Sequence, residues 1–570
     1  MSIFRPIADL PICEIIEGGP VDTLTAFARN IVSQRAGRIL LEVNVAKNTA
    51  GYVGTITPMP IADFPICDFP ELVGTDGIER LLFSDGEWDG KPLDSYFPNK
   101  LAVPRIGSSS DVERQIPVSP DDSRRGDTAL GSYELQNADG ALDNLPDQYS
   151  PGDQSVRLRY VFEDDDSGNG RILAEGIGDQ WEVTYDVIRL LVKSSSSYLD
   201  QPLWLRQYTG KGGLTGDVSL AGTIVPTLFG ECFNVTPIKI NNDYWVYQVH
   251  DGPILAVDAV KERGLPFTYA GDFPDYAHLV AYAFEDIGQY ATCTALGLFR
   301  CSFPTVGPAG AITADIRGYK STSGYTDRTG EILSQIAIER GALTTSLIDI
   351  LSFGQLPTGP VGYYSDQNDL KISNIFDALL GGINGWYGSD RYRLLRAGYI
   401  DEPQTKAASH TITQEETIDI EQVSLSSPAR WRQTLNYGKN WTPMADGDVS
   451  VLLDSDVRNR LIAEFIPLVA ESGATKVRQK SAIVGTDMTS YFRDVEDAQI
   501  VLDRVMSLYK EDRRLLRITM WRTGYQINMQ DYVMLISDRL GQSFKNGRMM
   551  VVVGLKDSGS PDTVVITVYG

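Results

Sequence analysis

Residues Ser132 to Leu145, reading Ser-Tyr-Glu-Leu-Gln-Asn-Ala-Asp-Gly-Ala-Leu-Asp-Asn-Leu, leave the backbone little choice. Tyr133 and Leu135 alternate with Glu134 and Gln136 at period two, the pattern of a strand with one buried face. Asn137 to Gly140 tolerate the positive φ angles of a tight turn, and Leu142 and Leu145 resume the apolar pattern beyond it. A strand running straight into a reversal is expected. Arg38 to Val45, Arg80 to Trp88, Ser155 to Phe162 and Gly176 to Val192 are comparable short segments separated by polar or glycine-bearing turns. Short strands at regular spacing describe a β-barrel or sandwich.

A chain of 570 residues is too long for one core, and roughly 150 residues per domain suggests about four domains. With 42% hydrophobic and 22% charged residues it has the make-up of a globular protein, and 53 Gly and 29 Pro suit many short strands joined by turns. No stretch of about 18 apolar residues is present, and Met-Ser-Ile-Phe-Arg-Pro lacks the apolar run of a secretory signal. Folding in the cytosol without a membrane anchor is expected. Cys13, Cys67, Cys232, Cys293 and Cys301 form neither a disulfide framework nor a Cys-x-x-Cys pair, so buried apolar roles are expected for them. A net charge of −24 with no Lys/Arg stripe argues against stable nucleic-acid binding. It is compatible with DNA in passage, since an acidic wall does not hold phosphates.

Pro6-Ile-Ala-Asp-Leu-Pro-Ile-Cys-Glu14 returns as Pro60-Ile-Ala-Asp-Phe-Pro-Ile-Cys-Asp68, with two conservative differences. The prolines forbid helix and remove ladder donors, so both copies are expected to be extended surface segments. Two copies of one docking peptide suggest two similar grooves. Leu10, Pro11 and Ile12, with Phe64, Pro65 and Ile66, are the candidate partner-docking residues.

Further along, Lys193 to Ser197 is expected to be a soft joint, and Gly210 to Gly216 is a glycine loop lacking the Gly-Lys-Ser/Thr of a phosphate loop. Gly230 to Ile240 and Tyr244 to Pro253 are strands joined at Asn241-Asn242-Asp243. Helices are expected over Thr329 to Gly341, capped by Thr329, over Asp369 to Asn384, capped by Ser373, and over Asp494 to Tyr509. The segments Leu515 to Met520, Asp531 to Ile536, Arg548 to Leu555 and Thr563 to Tyr569 are four strands fit to complete a barrel.

Chemistry-bearing constellations are missing. His250, His278 and His410 stand beside no serine elbow, no His-x-x-x-His pair and no cysteine cluster. Glu163 to Asp166 lacks the spacing of a calcium loop and is expected to be a solvated turn. Carboxylate pairs such as Asp164/Asp166 and Asp494/Glu496 arise by chance among 75 Asp and Glu. No catalytic residue, cofactor or metal is assigned.

Several segments together resemble the hub proteins that close the distal end of long phage tails and of gene transfer agents. Leu135 to Asp143 is similar to the family's Leu-x-Asn-x-Asp-Gly-x-Leu-Asp signature, and Tyr247-Gln-Val-His-Asp-Gly-Pro253 to its second domain. Gly385-Trp-Tyr followed by Leu395-Arg396 resembles a Trp-bearing turn before a strand in those proteins. Leu435-Asn-Tyr-Gly-Lys-Asn-Trp441 is similar to Val-x-Tyr-Gly-x-Asn-Trp, with Leu for Val, and Val564-Val-Ile-Thr-Val-Tyr-Gly570 resembles the family's C-terminus.

The resemblance implies a mainly β, multidomain fold: two tail-tube-like β-barrels, a β domain and a small α+β domain. The expected division is 1–37 as docking segment, 38–202 as first barrel, 203–325 as β-rich domain, 326–411 as α+β unit and 412–570 as second barrel. It further implies a virion structural protein, assembled in the host cytoplasm, that forms a homotrimer at the tail tip or baseplate. The implied partners are a distal tail protein or tube ring, the tape-measure protein, and tip or fibre proteins, with genome ejection through the hub. The alternatives are a receptor-binding adhesin, expected to end in a repetitive fibrous part, and a cell-wall hydrolase, expected to carry an acid, nucleophile or zinc constellation.

Overall fold

The computed structural model describes residues 37–47, 78–109, 112–162, 166–203, 206–341, 343–423, 428–557 and 563–570. The architecture is mainly β and multidomain, as expected, with helices gathered in the second half of the chain.

Strand β1 (Gly37–Lys47) pairs antiparallel with β2 (Ile78–Ser84). The short strands β3 (Val112–Gln115) and β4 (Asp127–Ala129) follow, and then β5 (Ser132–Gln136), β6 (Ser155–Phe162), β7 (Arg171–Val183) and β8 (Val187–Lys193). The first sheet runs β2-β1-β6-β7-β8-β5 through its centre, with three further short strands at its two ends and one beside β1. Alternation decides its faces. Ile39, Leu41, Val43 and Val45 enter the main core, while Leu40 turns to a smaller cluster with Leu82, Trp88, Phe97 and Val161.

The middle region holds β9 (Thr227–Val235), β10 (Ile254–Glu262) and β11 (Ile312–Ser321). Helix α1 (Thr329–Glu339) precedes β12 (Gly362–Ser365), which returns to the free side of β9. A second, five-stranded sheet here contains the expected hairpin, Ile238–Asn241 against Val246–Gln248. These sheets pack around their own two clusters, built on Leu228, Val260 and Phe299 and on Val225, Ile240 and Leu298. Helix α2 (Ile372–Gly381) and the hairpin of β13 (Gly385–Ser389) and β14 (Leu395–Tyr399) form the α+β unit.

The last region contains β15 (His410–Ile412), β16 (Thr417–Val423), β17 (Arg430–Tyr437), β18 (Ile466–Glu471), helix α3 (Val495–Tyr509), β19 (Leu515–Trp521), β20 (Tyr532–Leu535), β21 (Arg548–Asp557) and β22 (Thr563–Tyr569). Its main sheet is ordered β15-β20-β21-β22-β19-β16. Helix α3 buries Ala498, Leu502, Val505 and Tyr509, the stripe its 3.6-residue period dictates.

Two units within the chain share one topology. In the first sheet β6, β7 and β8 form an antiparallel meander and β8 then pairs with the earlier β5. In the last sheet β20, β21 and β22 form an antiparallel meander and β22 pairs with the earlier β19. Numbered from their own first strand, both read 2-3-4-1, a Greek key.

The two sheets are knitted together. Strand β3 leaves the first region and pairs antiparallel with β21, aligning Arg114 with Leu555 and Val112 with Asp557, and β4 pairs with β3 outside it. One hydrophobic core accordingly runs from Ile39 through Phe376 and Leu502 to Tyr569, joining both Greek-key units and the helices.

Local details depart from the sequence expectations. Residues Ser195 and Ser196 are not a soft joint: the two are buried, the Ser195 and Ser389 hydroxyls lie 2.6 Å apart, and the Ser196 N–H donates to Ser389 Oγ. Thr329 is the first helical residue of α1 and not its cap: its hydroxyl is buried, and Arg328 stands at the N-cap position without a side-chain capping bond. The start of α2 lies at Lys371, not Ser373, since Asn374 Oδ1 accepts the Lys371 N–H and satisfies one of the free donors there.

Candidate functional site

The candidate docking residues Leu10, Pro11, Ile12, Phe64, Pro65 and Ile66 lie outside the described residues, as do Cys13 and Cys67. The points from which the two copies depart are described. The first copy precedes Gly37 at one end of β1, and the second lies in the connection that leaves β1 at Lys47 and re-enters the sheet at Ile78. At about 3.3 Å per residue those ends are roughly 33 Å apart.

The segments that carry the family resemblance are structural joints. Asn137 is buried at the end of β5: its Oδ1 accepts the Leu142 N–H at 2.8 Å, its Nδ2 donates to Asp143 Oδ1 at 2.8 Å, and its own N–H donates to Asp186 O. Gly140, at φ +70°, closes the reversal where a Cβ would meet the Asp143 carboxylate. Arg105 grips Asp139 with two hydrogen bonds of 2.8 and 2.6 Å, which holds that carboxyl below the usual range.

Asn440 is fully buried where the middle region meets the last. Its Nδ2 reaches the carbonyls of Leu461 and Ala463 at 2.9 and 3.1 Å, and its Oδ1 accepts from Asn234 Nδ2 at 2.8 Å. The Trp441 N–H donates to Phe233 O, and the Trp441 ring packs against Tyr363, Tyr364 and Tyr491.

Each of the three histidines has a local partner. Buried His250 accepts the Leu228 N–H on Nδ1 at 3.0 Å, and burial, with Arg340 adding to it, holds its pKa down to about 3. Exposed His278 contacts Asp275 in its own helix turn, and His410 lies 3.4 Å from Glu416, which raises its pKa. Asp166 accepts from the Ser95 and Gly168 N–H groups, while Asp494 stands at the N-cap position of α3 without a side-chain capping bond, with Glu496 in the first turn. Among the described residues no three His, Cys, Asp or Glu side chains gather as a metal site, and Cys232, Cys293 and Cys301 are buried free thiols. No described helix is long and apolar enough to cross a membrane.

Buried charge gathers at the seam between the Greek-key units. Arg114, 2% exposed, points inward from β3, pairs with Asp557 at 3.1 Å and donates to Leu173 O at 3.0 Å. The crossover after β3 is bolted down by two more buried arginines. Arg124 donates to Asn384 Oδ1 and Ser119 O, and Arg430 donates to Asp121 Oδ2 and Gln433 Oε1. Beside the seam lies a cavity of about 800 Å³, reached by residues from all the elements that meet there, Arg114, Arg171, Asp349, Asp390, Arg391 and Asp531 among them. Sequence reasoning missed this site because its residues are hundreds of positions apart.

The β7–β8 hairpin is exposed at its tip. The end of β7, from Asp179 to Val183, is largely exposed, and at its tip Val183 is 59% and Tyr185 94% exposed. Among the described residues strand β16 is a sheet edge that pairs only with β19, and it exposes Asp419 and Glu421.

No family model and no curated protein matches this chain. Solved structures do. The chain is similar to a component of the virion of a native gene transfer agent particle, with 13% identity, a TM-score of 0.41, and 66% of this chain and 92% of that one covered. It is also similar to the tail protein from Neisseria meningitidis MC58, with 7% identity, a TM-score of 0.37, and 82% and 95% covered. A third is the 43 kDa tail protein of prophage MuSo2 from Shewanella oneidensis, with 10% identity, a TM-score of 0.30, and 82% and 95% covered. At TM-scores below 0.5 these likenesses bear on neither activity nor partners.

Proposed function

We propose that this chain is a structural hub of a phage-like tail tip or baseplate, acting as a homotrimer rather than as an enzyme. The observation that carries this is the repeated Greek key: one chain presents two units of the same strand order, so three chains present six. That arithmetic lets a three-fold assembly meet a six-fold tube. The sequence resemblance in the Asn137, His250 and Asn440 segments supports it: Asn137 and His250 fix the chain within their own regions, and Asn440 joins the middle region to the last.

In this role the knitted seam makes the two units one rigid block, as a load-bearing ring requires. The two copies of the docking peptide, centred on Leu10-Pro11-Ile12 and Phe64-Pro65-Ile66, leave opposite ends of β1 and are suited to reach two different neighbours. The β7–β8 hairpin with Val183 and Tyr185 offers apolar area for a neighbouring subunit. The ring would join the distal tail protein or tube on one side and tip or fibre proteins on the other, with the tape-measure protein within and DNA only in passage. The test is to purify particles carrying a C-terminally tagged copy of this chain and label the tag for electron microscopy. Label confined to the distal tail tip is expected, and label absent from particles or spread along the tail would overturn the proposal.

A further inference from the structure

The cavity at the seam has a charge arrangement that the tail role does not require. Of the cations lining it, Arg396 pairs with Asp349 at 3.0 Å, Lys406 with Asp401 at 2.6 Å, and Arg114 with Asp557 behind the wall. Among the described residues Arg171 and Arg391 have no carboxylate at ion-pair distance. Both converge on one carbonyl: Arg171 Nη2 donates to Tyr525 O at 2.7 Å and Arg391 Nη1 donates to the same oxygen at 3.2 Å. Their remaining bonds go to neutral acceptors, Tyr392 Oη at 3.4 Å and Ile527 O at 3.0 Å. Arg171 is 5% and Arg391 4% exposed, and Arg171 Nε is buried without a hydrogen-bond partner.

The surrounding acids are engaged by other groups: Asp557 pairs with Arg114 through Oδ2, leaving its Oδ1 without a hydrogen bond. Asp390 accepts the backbone N–H groups of Tyr392 and Leu394 at 2.8 and 2.9 Å, and Asp531 accepts that of Asn528 at 2.7 Å. Burial raises the pKa of both, which weakens them as counter-charges. For Arg171, burial and then the neighbouring Arg391 hold the pKa down to about 10. Two neighbouring buried guanidinium groups, with Arg171 Nε unspent and no carboxylate hydrogen-bonded to either among the described residues, suit planar or tetrahedral oxygen groups.

We propose that the cavity binds a small oxyanion, phosphate-like or carboxylate, between Arg171 and Arg391. The anion gives Arg171 and Arg391 a directly bonded counter-charge and ties β7 of the first Greek-key unit to the β13–β14 turn. The site stands independently of the tail role, since it rests only on this chain's own side chains.

The test is calorimetric and thermal titration of the full chain with sodium phosphate, with citrate as the carboxylate arm, against sodium chloride at matched ionic strength. Saturable binding and a rise in melting temperature with phosphate or citrate, absent with chloride, are expected. The arm that binds more tightly names the oxygen group preferred. Arg171→Gln and Arg391→Gln should each weaken binding at least tenfold, while Arg189→Gln, which removes an exposed pair with Glu134, should leave it unchanged. Arg171→Lys and Arg391→Lys keep the charge without the fork and serve if the glutamine variants do not fold; weakened binding is expected from them too. Equal responses to all three salts, or binding retained in the Arg171/Arg391 variants, would overturn the site and leave the pair a brace for Tyr525.

Discussion

Replacing Arg114 by Met strands Asp557 in the seam. In the native protein each side chain is 2% exposed, and the pair joins β3 of the first region to β21 of the last. Breaking one partner of such a buried pair costs about 3–5 kcal/mol, because a charge is left in a dry site. The stranded carboxylate has one escape, which is to take up a proton. For an ordinary aspartic acid this costs about 1.4 kcal/mol for each pH unit above about 3.9, hence roughly 4 kcal/mol at pH 7 and roughly 1.5 kcal/mol at pH 5. The defect of Arg114→Met is therefore capped near 4 kcal/mol at pH 7 and should shrink as the pH falls. For a cooperative unit of 150–250 residues, the pH 7 loss lowers the melting temperature by roughly 8–16 °C. Urea melts of the wild type, Arg114→Met and Arg114→Met/Asp557→Leu at pH 5 and 7 measure it, with hydrogen exchange across 112–115 and 554–557 as the local readout. The double variant should recover most of the loss, since an apolar replacement of a buried pair is often close to neutral. A single-variant loss below about 1 kcal/mol at pH 7, a loss that does not change with pH, or a double variant no better than the single would refute the stranded-charge account.

Three further outcomes are expected. Buried His250, held down to about 3, binds a proton only after unfolding, so acidification from about 6.5 removes up to about 1.4 kcal/mol per pH unit. His410 has the opposite sign: its raised pKa gives stability that is complete below about 6.5 and is lost as pH climbs through the folded value. Urea midpoints across pH 4.5–8.5 should show the acid slope reduced in His250→Gln and the alkaline slope reduced in His410→Gln. Gly230 adopts φ +64° with an added Cβ falling 2.0 Å from Val361 O, so Gly230→Ala should cost more than about 3 kcal/mol and yield insoluble chain on expression. Leu10→Asp with Ile12→Asp should leave the melting temperature of the isolated chain unchanged and block its incorporation into particles; a fall of many degrees would assign the segment to the chain's own core.

Much of the β architecture could be read from period-two patterns and turn residues. Tyr133 and Leu135 are buried with Glu134 and Gln136 outward or half-exposed, and Asn137 to Gly140 make the expected reversal. The stripe of α3 is likewise where the 3.6-residue period puts it. What stayed hidden depends on partners far along the chain. Val112-Glu-Arg-Gln has a strand pattern, but nothing local says that its ladder partner is Gly554–Asp557. An inward arginine such as Arg114 looks like a surface residue until Asp557 and Leu173 O are seen beside it. The serines at 194–197 looked like a linker because their hydroxyl partners, Ser389 among them, come from another region. For the same reason the cavity was invisible: Arg171 and Arg391 meet only because β7 and the β13–β14 turn both approach Tyr525.

A reconstruction of the assembled particle by electron cryo-microscopy bears most directly on the hub role, because it counts the copies of this chain at the tail tip and locates its two Greek-key units. Three copies are expected, with the units containing β5–β8 and β19–β22 alternating around one axis to give six positions. The channel inside should be wider than roughly 20 Å, with Asp and Glu outnumbering Lys and Arg on its wall so that passing DNA is not held. Six copies at the tube end, or three copies whose two units are stacked along the axis, would contradict the ring.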